Sequence, residues 1–221
     1  MIQLSHRQPF AGGCKRDCYV HPDDPDQVIK VIPESKSVQV LHSKKWWLRR
    51  VLQTPESMDA NRGEHEKFEK LTRKFGDLKA AFPYLVEYFG KVQTDLGEGL
   101  VFQAIKDFDG SMSKTIESAG EIGGYNKPLL LEAVKTMAAT RNDGSLYHDV
   151  GENNIVIQLL VPNHEQYKLW VIDGINNRAL IPIAEYSTVY ANIRKVKKIL
   201  RLNRYIHKNF KPDNAAKQGA V

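Results

Sequence analysis

Five residues stand in an order, and in local settings, that suit phosphoryl transfer. They are Lys30 in the run QVIKVIP, Glu64 in RGEHEKFEK, Asp149 and Asn154 in YHDVGENN, and Asp173 in LWVIDG. That chemistry asks little covalent help of a protein. It needs a triphosphate held in place, its charge offset by a divalent metal, and an acceptor hydroxyl oriented. A strand lysine such as Lys30 can reach the α- and β-phosphates, and a glutamate on the adjacent helix, Glu64, can fix its ammonium by an ion pair. Asp149 would accept a hydrogen bond from the acceptor hydroxyl as base or orienter, and Asn154, five residues on, would bind Mg²⁺ or Mn²⁺ from the same loop. Asp173, at a strand end just before Gly174, would bind the metal that bridges the phosphates. Each residue alone has a plainer reading. Glu66 and Glu69 compete with Glu64 on a helix that would be charged anyway, Asp149 and Asn154 could form a capping turn, and Asp173-Gly174 could simply end a strand.

The elements that must position these residues can be read from periodicity. Residues 1–5 and 17–21 are expected strands around FAGGCKR, with Gly12-Gly13 giving the backbone freedom of a hairpin or ligand loop. In QVIKVIP, Val28, Lys30 and Ile32 alternate with Ile29 and Val31, which puts Lys30 on one defined strand face before Pro33 ends the run. A basic amphipathic helix is expected over 36–53, and a second helix, carrying Glu64, from about Arg62 to Phe75. YLVEYFGKVQT and GLVFQAIKDF read as strands joined by a hairpin at DLGEG. Together these make a five-stranded antiparallel sheet with one main helix. Beyond it come a short helix over 113–119 and a longer one over 126–141, with Leu130, Val134, Met137 and Ala138 at helical spacing. The strands NIVIQLLV and YKLWVID follow, and then a basic helix whose expected buried face is Ile193, Val196, Leu200 and Ile206.

Composition narrows the class. With 221 residues, 42% hydrophobic, 26% charged and 9% aromatic, the chain is an ordinary globular one and not a disordered, collagenous or disulfide-scaffold protein. The longest apolar run, within IVIQLLV, falls far short of the roughly 18 residues of a membrane span. MIQLSHRQPF lacks the apolar core of a signal peptide, so a cytoplasmic location with Cys14 and Cys18 reduced is expected. Their C-x3-C spacing, without paired histidines, does not describe a zinc site. Of the 32 basic residues, eight fall in 190–211, where there is no acid, which leaves 24 bases against 26 acids elsewhere. The basic character is thus one helical segment, which weakens the argument for nucleic acid from charge alone; helix 190–211 could attract an anionic surface, such as the inner membrane face or a phosphorylated glycan, and reads equally as a C-lobe helix with a solvated basic face. Trp46-Trp47, among Lys44, Lys45, Arg49 and Arg50, reads as packing before it reads as a stacking platform.

The order strand lysine, helix glutamate, Asp-x4-Asn loop and strand-end aspartate is that of protein-kinase-like phosphotransferases. In the stretch from CYVHP to IKV, in GLVFQAIKDFDG, in the Asp-x4-Asn loop and in VIDG, the chain resembles the YrbL family of PhoP regulatory network proteins, small members of that superfamily. The resemblance runs from IQLS to IPIAEYS. It implies an α+β, two-lobe kinase-like fold, with an N-lobe at 1–105 and a small, mostly helical C-lobe at 106–221. It also implies Gly12 and Gly13 amides over the phosphates of ATP, and Gln103 to Ile105 facing the adenine through backbone groups. FAGGCKRDCYV departs from the full G-x-G-x-x-G, HDVGENN lacks the Arg of His-Arg-Asp, DGI replaces Asp-Phe-Gly, and no Ala-Pro-Glu follows. These departures resemble small-molecule and glycan kinases more than protein kinases. The expectation is an ATP- and Mg²⁺-dependent kinase acting on a hydroxyl of a sugar or envelope glycan precursor, and the alternative is a non-catalytic nucleotide-binding regulator.

Overall fold

The computed structural model describes residues 1–13, 16–33, 60–139, 151–162, 165–173 and 188–210. These residues form a mixed α+β protein with antiparallel sheets and, among the described residues, five helices. Two compact units emerge, Met1–Leu78 with Val86–Ala104, and Lys79–Leu85 with Ile105–Val221. The helix expected over 36–53, with Trp46-Trp47, lies outside the described residues.

The first unit is built on β1 (Ala11–Gly12), β2 (Asp17–Val20), β3 (Gln27–Val31), β4 (Tyr88–Thr94) and β5 (Gly97–Gln103), in the sheet order β1-β2-β3-β5-β4. The register pairs Ile29 with Val101 and Lys30 with Leu100. Because side chains alternate along a strand, Ile29 and Val31 face a cluster with Leu4, Tyr19 and Val101, while Val28 and Lys30 face the other way. Helix α1 (Ala60–Phe75) covers that second face, with the Phe68 ring 5.6 Å from Phe102 and 4.7 Å from Tyr88. Its buried residues, Ala60, Asn61, Glu64, Lys67, Phe68 and Leu71, recur at helical spacing. The stripe is polar at its start and apolar at its end. Helix α1 is therefore seated by Phe68 and Leu71, and its first two turns carry polar side chains onto the sheet.

Residues 1–5, expected as a strand, are not one. Only Ile2 makes a bridge, to Thr94, and the first strand is instead Ala11–Gly12. Leu4, fully buried, plugs the sheet face, and its amide and that of Ser5 donate to the Asp95 carboxylate at 2.6 and 3.1 Å. A side-chain acceptor thus replaces a ladder partner. The β4–β5 connection is also tighter than DLGEG suggested: Thr94 pairs with Gly97, leaving a two-residue turn. Gly99 then sits inside β5, where a Cβ would come within 2.6 Å of Ile29 Cγ2 and 3.3 Å of Val31 Cγ2. Both neighbours are β-branched and stiff at χ1. Gly99→Ala is accordingly expected to destabilise by about 1–3 kcal/mol, measured as a lower urea midpoint at unchanged m-value.

After the short α2 (Leu78–Ala81), the second unit holds the sheet β6-β7-β8: β6 (Lys114–Thr115), β7 (Ile155–Leu159) and β8 (Tyr167–Val171). Leu85 joins it by a parallel bridge to Val171, whose amide donates to Tyr84 O at 2.7 Å. Thr115 caps α3 (Ile116–Ile122), its hydroxyl accepting from the Ser118 amide. Asn126 caps α4 (Lys127–Ala139) in the same way through the Leu129 amide. Leu130, Val134 and Met137 of α4 are fully buried.

Helix α5 (Thr188–Asn209) corrects another expectation. Of its anticipated buried face only Ile206 is buried, and its companions are Leu202 and, just past the helix, Phe210. Ile193, Val196 and Leu200 are turned to solvent. Tyr125 meets the Phe210 ring edge-on at 6.2 Å, and Lys127 Nζ donates to His207 O at 2.8 Å. Among the described residues no helix is long and apolar enough to cross a membrane.

Candidate functional site

The polar half of the α1 stripe meets β3 at Lys30. Lys30 Nζ lies 3.3 Å from Glu64 Oε1 and 4.1 Å from the centre of the Phe102 ring. Lys30 is 6% exposed and Glu64 2%. Glu66, one of the competing glutamates, instead pairs with Arg62 on the exposed side of the helix. Burial by the α1 stripe therefore selects Glu64, and the strand alternation that puts Lys30 on this face supplies its partner.

Two further residues complete the cluster, and neither stood out in the sequence. Arg16 Nη1 ion-pairs with Glu64 Oε2, so the two oxygens of one carboxylate serve two cations. Asn61, one helical turn before Glu64, donates from Nδ2 to Lys30 O at 3.3 Å and Glu98 O at 3.1 Å. It thereby fixes the first turn of α1 to the backbones of β3 and β5, and its Oδ1 lies 3.5 Å from Arg16 Nη1. Asn61 and Glu64 are three apart and so share a helix face, a signal the sequence did carry. Arg16, in a loop beside Gly12-Gly13, has no periodicity to mark it. Nearby, burial first and then Glu69, Glu64 and Glu98 push the Tyr88 hydroxyl up to about 12. It therefore stays protonated at neutral pH and makes a 2.8 Å hydrogen bond with His65 Nδ1.

Gly12 pairs with Asp17, and the Gly13 amide donates to Arg16 O at 2.9 Å. A Cβ on Gly13 would meet nothing within 4 Å. Gly13→Ala should therefore leave the unfolding midpoint within about 0.5 kcal/mol of wild type, the range of surface substitutions. If a phosphate approaches this backbone, the same substitution weakens nucleotide affinity, so parallel melts and binding titrations separate the two effects. In the segment expected to face adenine, the Gln103 amide donates to Glu87 O at 3.0 Å and the Ala104 amide to Asp26 O at 2.8 Å. The Ile105 carbonyl accepts from the Ser113 amide at 3.0 Å.

In the second unit, Asn154 precedes β7 and Asp173 follows β8. The Ile172 amide donates to Asn154 O at 3.0 Å, continuing the Ile155–Val171 pairing. The amide-bearing and carboxylate-bearing residues thus stand at neighbouring strand ends. An amide oxygen and a carboxylate are hard donors of the kind Mg²⁺ takes, with phosphates and water completing its shell. Among the described residues no group of three or more His, Cys, Asp or Glu gathers as a metal site. The Asn154 amide donates back to Gly151 O, and Glu152 ties the same loop to α5 through Arg201 Nη2 at 3.1 Å. Asp149, with His148, lies outside the described residues, as does Cys14.

A family profile described as "PhoP regulatory network protein YrbL" matches residues 2–207. A protein of Escherichia coli (strain K12) and one of Shigella flexneri, each named "Uncharacterized protein YrbL", are 28% identical to the chain over 197 residues. In both cases the match covers 85% of this chain and 79% of the relative.

Proposed function

The chain belongs to the YrbL family of PhoP regulatory network proteins, and from that premise we propose that it is a kinase-like phosphotransferase that moves the γ-phosphoryl group of ATP to a hydroxyl. The observation that carries this reading is the buried Lys30–Glu64 ion pair, made between the middle strand of an antiparallel sheet and the helix that covers it. A lysine held this way has its ammonium aimed by the carboxylate before any ligand arrives, which is the preorganisation that binding a polyphosphate calls for. The five-stranded sheet with one principal helix, and the adjacency of Asn154 and Asp173, support the protein-kinase-like two-lobe form of the reading.

In this account Lys30 holds the α- and β-phosphates, Glu64 orients Lys30, and the Gly12-Gly13 loop borders the phosphates. Backbone groups between Gln103 and Ile105 face the adenine. Asn154 and Asp173 would hold Mg²⁺, or Mn²⁺, which neutralises charge on the phosphates when bound. Asp149 orients the acceptor hydroxyl and takes its proton. The acceptor is a sugar or envelope glycan precursor, because FAGGCKRDCYV, HDVGENN and DGI depart from the protein-kinase motifs in ways that resemble small-molecule and glycan kinases. The protein works in the cytoplasm on this reading.

The test is turnover: purified protein with Mg²⁺ and γ-labelled ATP, offered glycan and lipid-linked sugar extracts in parallel with protein lysate. Label transferred to a glycan fraction is the expected result. Label on proteins alone would overturn the choice of acceptor. A second reading, a nucleotide-binding regulator without turnover, is favoured by one feature. The Gly13 amide bonds Arg16 O and the Arg16 side chain pairs with Glu64, so both groups are already engaged where a phosphate would approach. Nucleotide binding without transfer to any acceptor would select it.

A further inference from the structure

We propose that the outward face of α5 is a docking surface for an anionic lipid bilayer. Helix α5 has one apolar row to spare. Leu202 and Ile206, with Phe210 beyond them, seat it on its own unit, while Ile193, Val196 and Leu200 remain 48, 56 and 49% exposed. At spacing i, i+3 and i+7 these three form a continuous row on one side of the helix.

Charge identifies the occupant. Exposed Lys197 is four residues from Ile193 and three from Leu200, exposed Arg204 is four from Leu200, and exposed Lys208 is four from Arg204. A row of cations thus runs beside the apolar row, in a segment, 190–211, that contains eight bases and no acid. Among the described residues, Glu152 pairs with Arg201, four residues from Lys197 and three from Arg204, and so offsets one cation at the border of the row. Burial first and then Glu117, Glu152 and Glu121 raise the pKa of the Tyr205 hydroxyl, five residues past Leu200 and so on another side of the helix. An apolar strip bordered by cations matches the two layers of an anionic leaflet, with acyl boundary for the first and headgroup phosphates for the second. A soluble acidic protein would satisfy the cations but leaves no reason for the adjoining apolar row to lie open in the absence of lipid.

Co-flotation of the full chain with vesicles tests this. With phosphatidylglycerol mixed into phosphatidylcholine the protein floats at low salt and is released as salt rises, whereas with phosphatidylcholine alone it stays at the bottom. Lys197→Gln with Arg204→Gln lowers partitioning by about 25-fold, taking each basic residue near the surface as about fivefold. Val196→Asp with Leu200→Asp abolishes it. All four side chains are exposed, so both variants melt like wild type, and a binding loss without a melting change is the supporting result. Flotation equal on neutral vesicles, flotation unchanged in both variants, or no flotation at all would overturn the proposal. So would a concentration-dependent dimer in light scattering that Leu200→Asp abolishes while vesicles capture nothing, since the row would then cover a second copy.

Discussion

Glu64→Ala lowers stability by about 3–5 kcal/mol, the scale of breaking a buried ion pair by removing one partner, and it costs more than Lys30→Met. The asymmetry follows from the arithmetic of the cluster. Lys30 and Arg16 both bind the carboxylate of Glu64, one at each oxygen, so deleting the carboxylate disturbs two buried cations at once. Lys30→Met removes one cation, leaves Arg16 on Glu64, and puts an unbranched apolar side chain against the Phe102 ring, where sulfur–aromatic contact offsets part of the loss. We expect Lys30→Met to cost about 1.5–3 kcal/mol, the value of one hydrogen bond to a charged group. Urea unfolding of the two variants, followed by the fluorescence of the protein's tryptophans, gives the comparison. Equal losses, or a larger loss in Lys30→Met, would mean that Arg16 does not share Glu64 in solution.

The second large effect is catalytic. Asp149→Asn keeps the side chain's size and a hydrogen-bonding oxygen but not its basicity, so phosphoryl transfer falls by about 10²- to 10⁴-fold, the usual contribution of a positioned general base. Nucleotide affinity, which on the proposed roles rests on Lys30, Asn154 and Asp173, stays within a few fold. This split in one variant separates the phosphotransferase from the regulator that binds without turnover. A parallel loss of binding and turnover would instead place Asp149 among the groups that hold nucleotide or metal.

How much of this was legible in the sequence depends on whether local chemistry or packing decided each feature. Strand alternation placed Lys30 on a single face, and that face is the one α1 covers, so a short-range signal predicted a long-range pairing. The choice of Glu64 over Glu66 and Glu69 needed burial, which three charged residues on one helix do not reveal. Arg16 was invisible because its role depends on its position against Glu64 of α1, and a residue outside a helix or strand carries no periodicity. The α5 helix misled for a related reason. Ile193, Val196 and Leu200 share a face as cleanly as Leu202 and Ile206 do, and the tertiary contacts of the helix end, Phe210 with Tyr125 and His207 with Lys127 among them, accompany burial of the second row. Similarly, Leu4 looked like a strand residue, yet Asp95 of the β4–β5 turn takes its amide, and the short strand at Ala11–Gly12 occupies the sheet edge instead.

The most direct measurement is the melting temperature of wild type, Lys30→Met and Asp173→Asn with and without ATP and Mg²⁺. A ligand that binds only the native state adds RT ln(1 + [L]/Kd), about 2.7 kcal/mol at a hundredfold excess over Kd. For a chain of this size that is a rise of about 5–10 °C. The account predicts that rise for wild type, its dependence on Mg²⁺, and its loss in both variants. A wild-type melting temperature that ATP and Mg²⁺ leave unchanged up to millimolar concentrations, or a rise that survives in both Lys30→Met and Asp173→Asn, would contradict the assignment of these residues to a nucleotide site.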